Sequence, residues 1–139
     1  NYFITAFFAS VNLYTGQVEF INAGHNPPLI KRANGDFEYV ETERNLVLGI
    51  MNDHEYQKTV TKFEKGDMIF LYTDGVTEAL NPKEELFGSE RLKNSLNNSK
   101  SDELQEIVAN VREDIADFVN NAEQSDDITT LIFKYKGID

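Results

Sequence analysis

Two aspartates stand where the chain could do chemistry. Asp74, in Thr73-Asp74-Gly75, follows the apolar run Met68-Ile69-Phe70-Leu71-Tyr72, and Asp126, in Ser125-Asp126-Asp127-Ile128-Thr129, opens another apolar segment. A carboxylate at the end of a core strand is held by the core while its oxygens point outward. That is how a fold gathers distant oxygens around a hard divalent cation. If Asp74 and Asp126 share one ion, the chemistry is metal-dependent hydrolysis with a metal-activated water. Gly75 lets the backbone turn sharply and leaves space for the ion's water shell. A single Asp-Gly pair is ordinarily just a turn. Two acidic signatures at the ends of two core strands bring the two readings level.

Other residues carry less. His25 lies in Ala23-Gly24-His25-Asn26-Pro27-Pro28, where ordering a loop is as good an explanation as catalysis; His54 sits in a polar turn and reads as exposed. Two histidines so differently placed make no zinc pattern. Ser10, Ser89 and Ser125 lack the glycine context of an activated serine, and no phosphate loop is present. The chain has no cysteine, which excludes disulfides and thiolate chemistry and fits a reducing cytoplasm.

The elements that must position the aspartates follow from periodicity. Residues 2–13 form an apolar, β-branched and aromatic stretch that reads as a largely buried strand. Thr15-Gly16 turns the chain into an alternating strand over residues 17–23; residues 29–32 and 37–40 flank the hairpin signal Asn34-Gly35. Leu46-Val47-Leu48-Gly49-Ile50 is a compact apolar segment whose simplest reading is core packing, with a movable regulatory element as the alternative. Residues 55–63 alternate, and residues 68–72 form the most hydrophobic strand. A helical turn is expected over residues 76–80, stopped by Asn81-Pro82, and a short helix over 88–97 carries Leu92 and Leu96. Leu104, Ile107, Val108, Val111, Ile115, Phe118 and Val119 make one stripe of a helix over residues 102–120, with Ser101 as its N-cap. A last strand covers residues 128–135. Strands first, then helices, then a returning strand is an α+β layout with mostly antiparallel sheet and the long helix on a sheet face.

The 139 residues fit one domain able to bury roughly two thirds of its unfolded surface. Net charge is 13 − 24 = −11, and residues 102–127 hold nine acidic side chains against one basic, Arg112. Such a surface repels phosphate backbones, so no nucleic-acid partner is expected. Most of those charges solvate a helix face. No apolar run approaches the roughly 18 residues a membrane span needs.

The stretches Phe3-Ile4-Thr5-Ala6-Phe7-Phe8, Asn22-Ala23-Gly24-His25-Asn26-Pro27-Pro28-Leu29, Leu48-Gly49, Gly66-Asp67, Thr73-Asp74-Gly75-Val76-Thr77-Glu78-Ala79, Leu86-Phe87-Gly88 and Ser125-Asp126-Asp127-Ile128-Thr129 occur together and in this order. With them the whole chain, residues 1–139, resembles the bacterial PP2C-like (PPM) serine/threonine phosphatases of the SpoIIE and RsbU type. The resemblance implies a β-sandwich flanked by α-helices in α-β-β-α layers, with two Mn²⁺ or Mg²⁺ ions at one end. It implies that Asp74 and Asp126 ligate one ion, with Asp127 as a neighbouring acid, and that a metal-generated hydroxide attacks a phosphoserine phosphorus without a phosphoenzyme.

In that family an aspartate and a following glycine, well ahead of the stretch matching Asn1, bridge the two ions. The chain holds no counterpart, so it reads as an N-terminally incomplete fragment that binds at most one ion and is inactive alone. The parent protein is expected to be the enzyme. The resemblance further implies an anti-anti-sigma (STAS-type) phosphoserine substrate in bacterial sigma-factor signalling, and fused sensor or receiver domains. Two other classes stand beside this one: a non-catalytic regulatory or docking module that keeps the phosphatase shell, and a homodimer formed through the first strand.

Overall fold

The computed structural model describes residues 2–124 and 126–138, so Ser125 of the second acidic signature lies outside the described residues. The elements run β1 (Ala6–Val11), β2 (Gln17–Ala23), β3 (Leu29–Lys31), β4 (Phe37–Tyr39), β5 (Thr59–Lys62), β6 (Met68–Tyr72), α1 (Asp74–Thr77), α2 (Gly88–Asn98), α3 (Leu104–Val119) and β7 (Thr130–Lys134). Two sheets form, ordered β1-β2-β5 and β4-β3-β6-β7. Every pairing between these strands is antiparallel.

Side-chain alternation divides the core in two. On one face of the four-stranded sheet, Leu29, Phe37, Met68, Phe70 and Tyr72 pack with Leu92, Leu96, Ile107, Val111 and Ile115 of α2 and α3. On its other face, Ile30 and Ile69 join Val18, Phe20, Phe63 and Tyr135, filling the space between the sheets. The central strand β6 is therefore buried on both sides, which is why it reads as a continuous apolar run. The helices are bound to each other through Ser95, whose hydroxyl donates to Asp114 and whose carbonyl accepts from Asn110. Asn97 closes the free edge of β4 by bonding both backbone groups of Phe37.

The layout is the expected mixed sandwich, with α2 and α3 against the four-stranded sheet. Among the described residues no helix joins the outer face of the three-stranded sheet, so three of the four anticipated layers are present. For the same reason the first strand is not largely buried. β1 is an edge strand paired only with β2, and Phe3, Ile4 and Phe8 stay more than half exposed.

The segment at Leu46–Ile50 also departs from expectation. It is not core: Leu46, Ile50 and Met51 are exposed, and the segment instead clasps the chain ahead of β1 through paired Ile4 and Leu48 backbone bonds of 3.0 and 2.8 Å. Nearby His54 is partly buried rather than exposed; its Nε2 accepts the Leu46 N–H at 3.4 Å and its ring meets Tyr56 edge-on. At α3 the cap lies later than Ser101. The helix starts at Leu104, and the Ser101 hydroxyl takes the Glu103 N–H in the preceding turn.

Candidate functional site

The site forms where β2 and β6 end side by side. Beyond β6, Thr73 makes three bonds to the 126–129 segment. Its N–H donates to the Thr129 carbonyl at 3.1 Å, its hydroxyl donates to the Asp127 carbonyl at 3.1 Å, and the same Oγ1 accepts the Thr129 N–H at 3.1 Å. Asp74 begins α1, two residues earlier than the turn expected from Val76, and its carbonyl accepts the Glu78 N–H at 2.8 Å. The strand β7 starts only at Thr130, so Asp126 lies in the loop ahead of it and not at the strand's mouth.

Gly75 acts differently from the expectation drawn from its sequence. It is buried inside α1, and a Cβ placed on it would meet the Asp127 carbonyl oxygen at 2.2 Å and the Asp126 carbonyl oxygen at 3.3 Å. Its backbone angle is not of the left-handed kind, so the need is for close approach rather than for a sharp turn. The absent side chain lets the two acidic segments touch.

The opposite wall comes from the end of β2. Asn22 is buried, accepts the His25 N–H on Oδ1 at 2.7 Å and donates to the Asn26 carbonyl at 3.4 Å. Asn26 in turn donates to the Tyr72 carbonyl at 3.4 Å, joining the two sheets' ends. The His25 Nδ1 lies 3.5 Å from the Thr5 hydroxyl.

Between these walls is a cavity of about 260 Å³ lined by Thr5, Gly24, His25, Asn26, Thr73, Asp74, Asp126, Asp127 and Thr129. The structure thus brings Asp74, Asp126 and Asp127 to one cavity. His54 lies outside it. Thr5, Asn26, Thr73 and Thr129 are lining residues that sequence reading missed, since nothing local marks a threonine or asparagine as facing a site. The sequence leaves His25 open between ordering a loop and catalysis; the loop is ordered by Asn22, and His25 is part of the lining.

The electrostatics favour a cation. Among the described residues, three carboxylates line the cavity and no lysine or arginine does. Just behind, burial raises the Tyr72 phenol above its ordinary value; the Tyr39 hydrogen bond opposes this and the Asp74 charge adds to it. The donor set suits a hard ion in its oxygen chemistry but is short in number. Among the described residues no three Asp, Glu or His converge closely enough to hold a metal by themselves.

Residues 1–136 match the sequence model of the family described as Stage II sporulation protein E (SpoIIE). The chain belongs to the SpoIIE family. Protein IcfG of Synechocystis is 32% identical over 129 residues, 93% of this chain and 20% of that protein. The phosphoserine phosphatase RsbU of Bacillus subtilis is 31% identical over 134 residues, 96% of this chain and 39% of RsbU. The chain therefore spans well under half the length of these relatives. Its fold is also similar to the solved PP2C phosphatase domain of SpoIIE from Bacillus subtilis, with a TM-score of 0.78 at 22% identity, over 97% of this chain and 39% of that one. The RsbU and RsbW domains of Rv1364c from Mycobacterium tuberculosis give a TM-score of 0.73 at 23% identity, over 97% of this chain and 37% of theirs. The SpoIIE-family fold is PP2C-like, and its relatives include named phosphoserine phosphatases.

Proposed function

We propose that this chain supplies one face of the active site of a metal-dependent protein phosphatase acting on phosphoserine. The observation that carries the reading is the meeting of Asp74 and Asp126 on one cavity that no lysine or arginine lines. Asp74 and Asp126 would hold a Mn²⁺ or Mg²⁺ ion, with Asp127 beside them. Relatives solved with manganese or magnesium support that choice of ion. When bound, such an ion supplies Lewis-acid charge neutralisation and lowers the pKa of water.

The chain's own residues do the rest. The Thr73 bonds and the Gly75–Asp127 contact hold together the two backbone segments that carry the carboxylates, which lowers the ordering cost when a ligand enters. The carboxylates repel a phosphomonoester until a cation offsets them, which makes productive binding depend on the ion.

Among the described residues the site is short of ligands, so the remaining ones would come from the rest of the natural protein, and the chain alone would hold at most one ion weakly and turn over little substrate. The partner is a phosphoserine protein of the anti-anti-sigma (STAS-type) class in bacterial sigma-factor signalling in the cytoplasm. RsbU and RsbP, named phosphoserine phosphatases among the relatives, support phosphoserine as the group acted on. Fused sensor or receiver domains would supply the regulatory input.

The test is Mn²⁺-dependent phosphate release from a phosphoserine peptide by the natural full-length protein. Asp74→Asn and Asp126→Asn are each expected to lower kcat by at least about 10²-fold, the range of losing a main charge-stabilising group. Turnover that survives both substitutions refutes the metal mechanism and favours a docking module.

A further inference from the structure

Thr73 grips the chain ahead of β7 from Asp127 onward. Its hydroxyl donates to the Asp127 carbonyl, and its backbone N–H and Oγ1 hold both backbone groups of Thr129. Asp126, which lines the cavity, lies one residue before that grip. Its carboxylate is anchored all the same, because Oδ1 accepts the Asp127 N–H at 2.7 Å. That N–H belongs to the peptide group joining Asp126 to Asp127. The carbonyl at the other end of the same group accepts the Gln124 side-chain amide, also at 2.7 Å. A peptide group is planar, so its two ends turn together. Whatever fixes the carbonyl aims the N–H, and the N–H holds the carboxylate.

We infer that Gln124 is a positioning residue for Asp126, acting through this one peptide plane; the inference rests on the reading of Asp126 as an ion ligand. The plane is placed from both sides. On one side a Cβ on Gly75 would come within 3.3 Å of the Asp126 carbonyl oxygen, so that oxygen lies close against α1. On the other, the chain leaves α3 through Asn120 and Asn121, both left-handed at φ +43° and +68°. Asparagine enters that region more readily than most residues. The Ala122 N–H then returns to the Val119 carbonyl at 2.9 Å, tying the stretch ahead of Gln124 to the end of the helix. With its carbonyl held, the 126–127 peptide turns over only by giving up the Gln124 bond, and its N–H stays on Oδ1. Donation to the carbonyl also polarises the group and strengthens the N–H as a donor.

The effect falls on the carboxylate and not on the fold. An ionised carboxylate is an acceptor at both oxygens, and the backbone engages Oδ1, which leaves Oδ2 clear for a cation. Gln124 is itself exposed, so water takes up the groups left behind when its amide is removed, and little stability goes with it. A carboxylate without this anchor has to be ordered when the cation enters, and that ordering weakens binding.

Gln124→Met keeps the length of the side chain and removes its donor. Gln105→Met, the same change at an exposed position of α3, is the control. Both are made in the natural full-length protein and titrated calorimetrically with Mn²⁺ well below the melt. Gln124→Met is expected to bind Mn²⁺ about 10-fold more weakly, the scale of losing a partner that orients a metal ligand, and Gln105→Met to bind as wild type does. The Mn²⁺ concentration for half-maximal phosphate release from a phosphoserine peptide rises by the same factor. The peptide's KM at saturating Mn²⁺ and the metal-free melting temperature stay at their wild-type values, a split that general loosening of the fold does not produce. Wild-type Mn²⁺ affinity in Gln124→Met, or equal weakening in both variants, overturns the assignment. Asp126→Asn separates the two levels of the argument. If it weakens Mn²⁺ binding while Gln124→Met does not, the phosphatase site stands and this inference falls; if it binds Mn²⁺ as tightly as wild type, Asp126 is no ligand and both fall.

Discussion

Gly75 and Asp127, far apart in sequence, touch so closely that a Cβ on Gly75 would lie 2.2 Å from the Asp127 carbonyl oxygen and 2.7 Å from its carbonyl carbon. Real Cβ atoms do not come so near a backbone. The contact joins the start of α1 to the loop ahead of β7, the two pieces of chain that carry Asp74 and Asp126. The close approach of these two backbone segments is therefore permitted by a missing side chain.

Gly75→Ala is accordingly expected to force the two segments apart. Overpacking of this kind costs about 1–3 kcal/mol, and here the strain falls on the acidic loop, so Mn²⁺ affinity should fall together with the melting temperature. Gly35→Ala is the control: its Cβ would meet nothing nearer than 3.8 Å, and its backbone is not left-handed. Calorimetric Mn²⁺ titration and thermal unfolding of both variants check this. A Gly75→Ala protein with wild-type affinity and stability would show that the loop yields freely.

Thr73→Val tests the same junction through its hydrogen bonds. Valine keeps the shape but removes the donor to the Asp127 carbonyl and the acceptor for the Thr129 N–H. The backbone bond from Thr73 to the Thr129 carbonyl remains, so the loss should be about 1–2 kcal/mol rather than collapse. Thr73→Ser retains the hydroxyl and should stay within about 0.5–1 kcal/mol of wild type. Denaturant melts of the pair decide; equal stability of Val and Ser variants would mean the hydroxyl is not structural.

How much of this was legible depends on where each signal resides. The strands β2 and β6 were readable at their observed bounds, because alternation and an uninterrupted apolar run are local properties of the sequence. The pairing of Asp74 with Asp126 was legible only as an expectation, from the type and spacing of the two signatures. Gly75's true role was not, since its reason is a backbone atom beyond α3, which no local pattern encodes. The first strand misled for a related reason: Phe3, Ile4 and Phe8 look like core, but burial depends on which layer covers the sheet, and no described helix does. Asn22, Thr5 and Thr73 matter through partners that only the fold supplies.

Asp67, at the opposite end of the sandwich from the candidate site, offers a control on stability. It is only 2% exposed and accepts the Arg32 guanidinium at 2.7 Å, the Ala33 N–H at 2.9 Å and the Glu64 N–H at 3.0 Å. Arg32 is half exposed and can turn to water, so its charge is discounted, but the two N–H groups lose their acceptor. Asp67→Ala should cost about 2–3 kcal/mol with no selective loss of Mn²⁺ affinity once the protein is folded. A loss of affinity at temperatures well below the melt would tie this corner to the site and contradict the local role.

The last prediction concerns alkaline pH. Burial raises the phenols of Tyr39 and Tyr72 above the usual value of 10.0, with their mutual interaction raising Tyr39 further and the Asp74 charge adding to Tyr72. The folded state thus keeps these protons at a pH where the unfolded chain releases them. Below about pH 10 the stabilisation is fully present; as pH climbs past the unfolded value toward the folded one, unfolding releases protons and stability falls. Lysines titrate in the same range, so the decisive measure is a difference. Tyr39→Phe loses the 2.7 Å bond to the Ser89 carbonyl and should be about 1 kcal/mol less stable at pH 8. Its unfolding free energy should nevertheless decline less steeply than wild type between pH 9.5 and 11 (roughly the span in which an unfolded tyrosine titrates). Urea melts across that range give both slopes, and parallel slopes would mean that the Tyr39 phenol titrates no differently once the chain is folded.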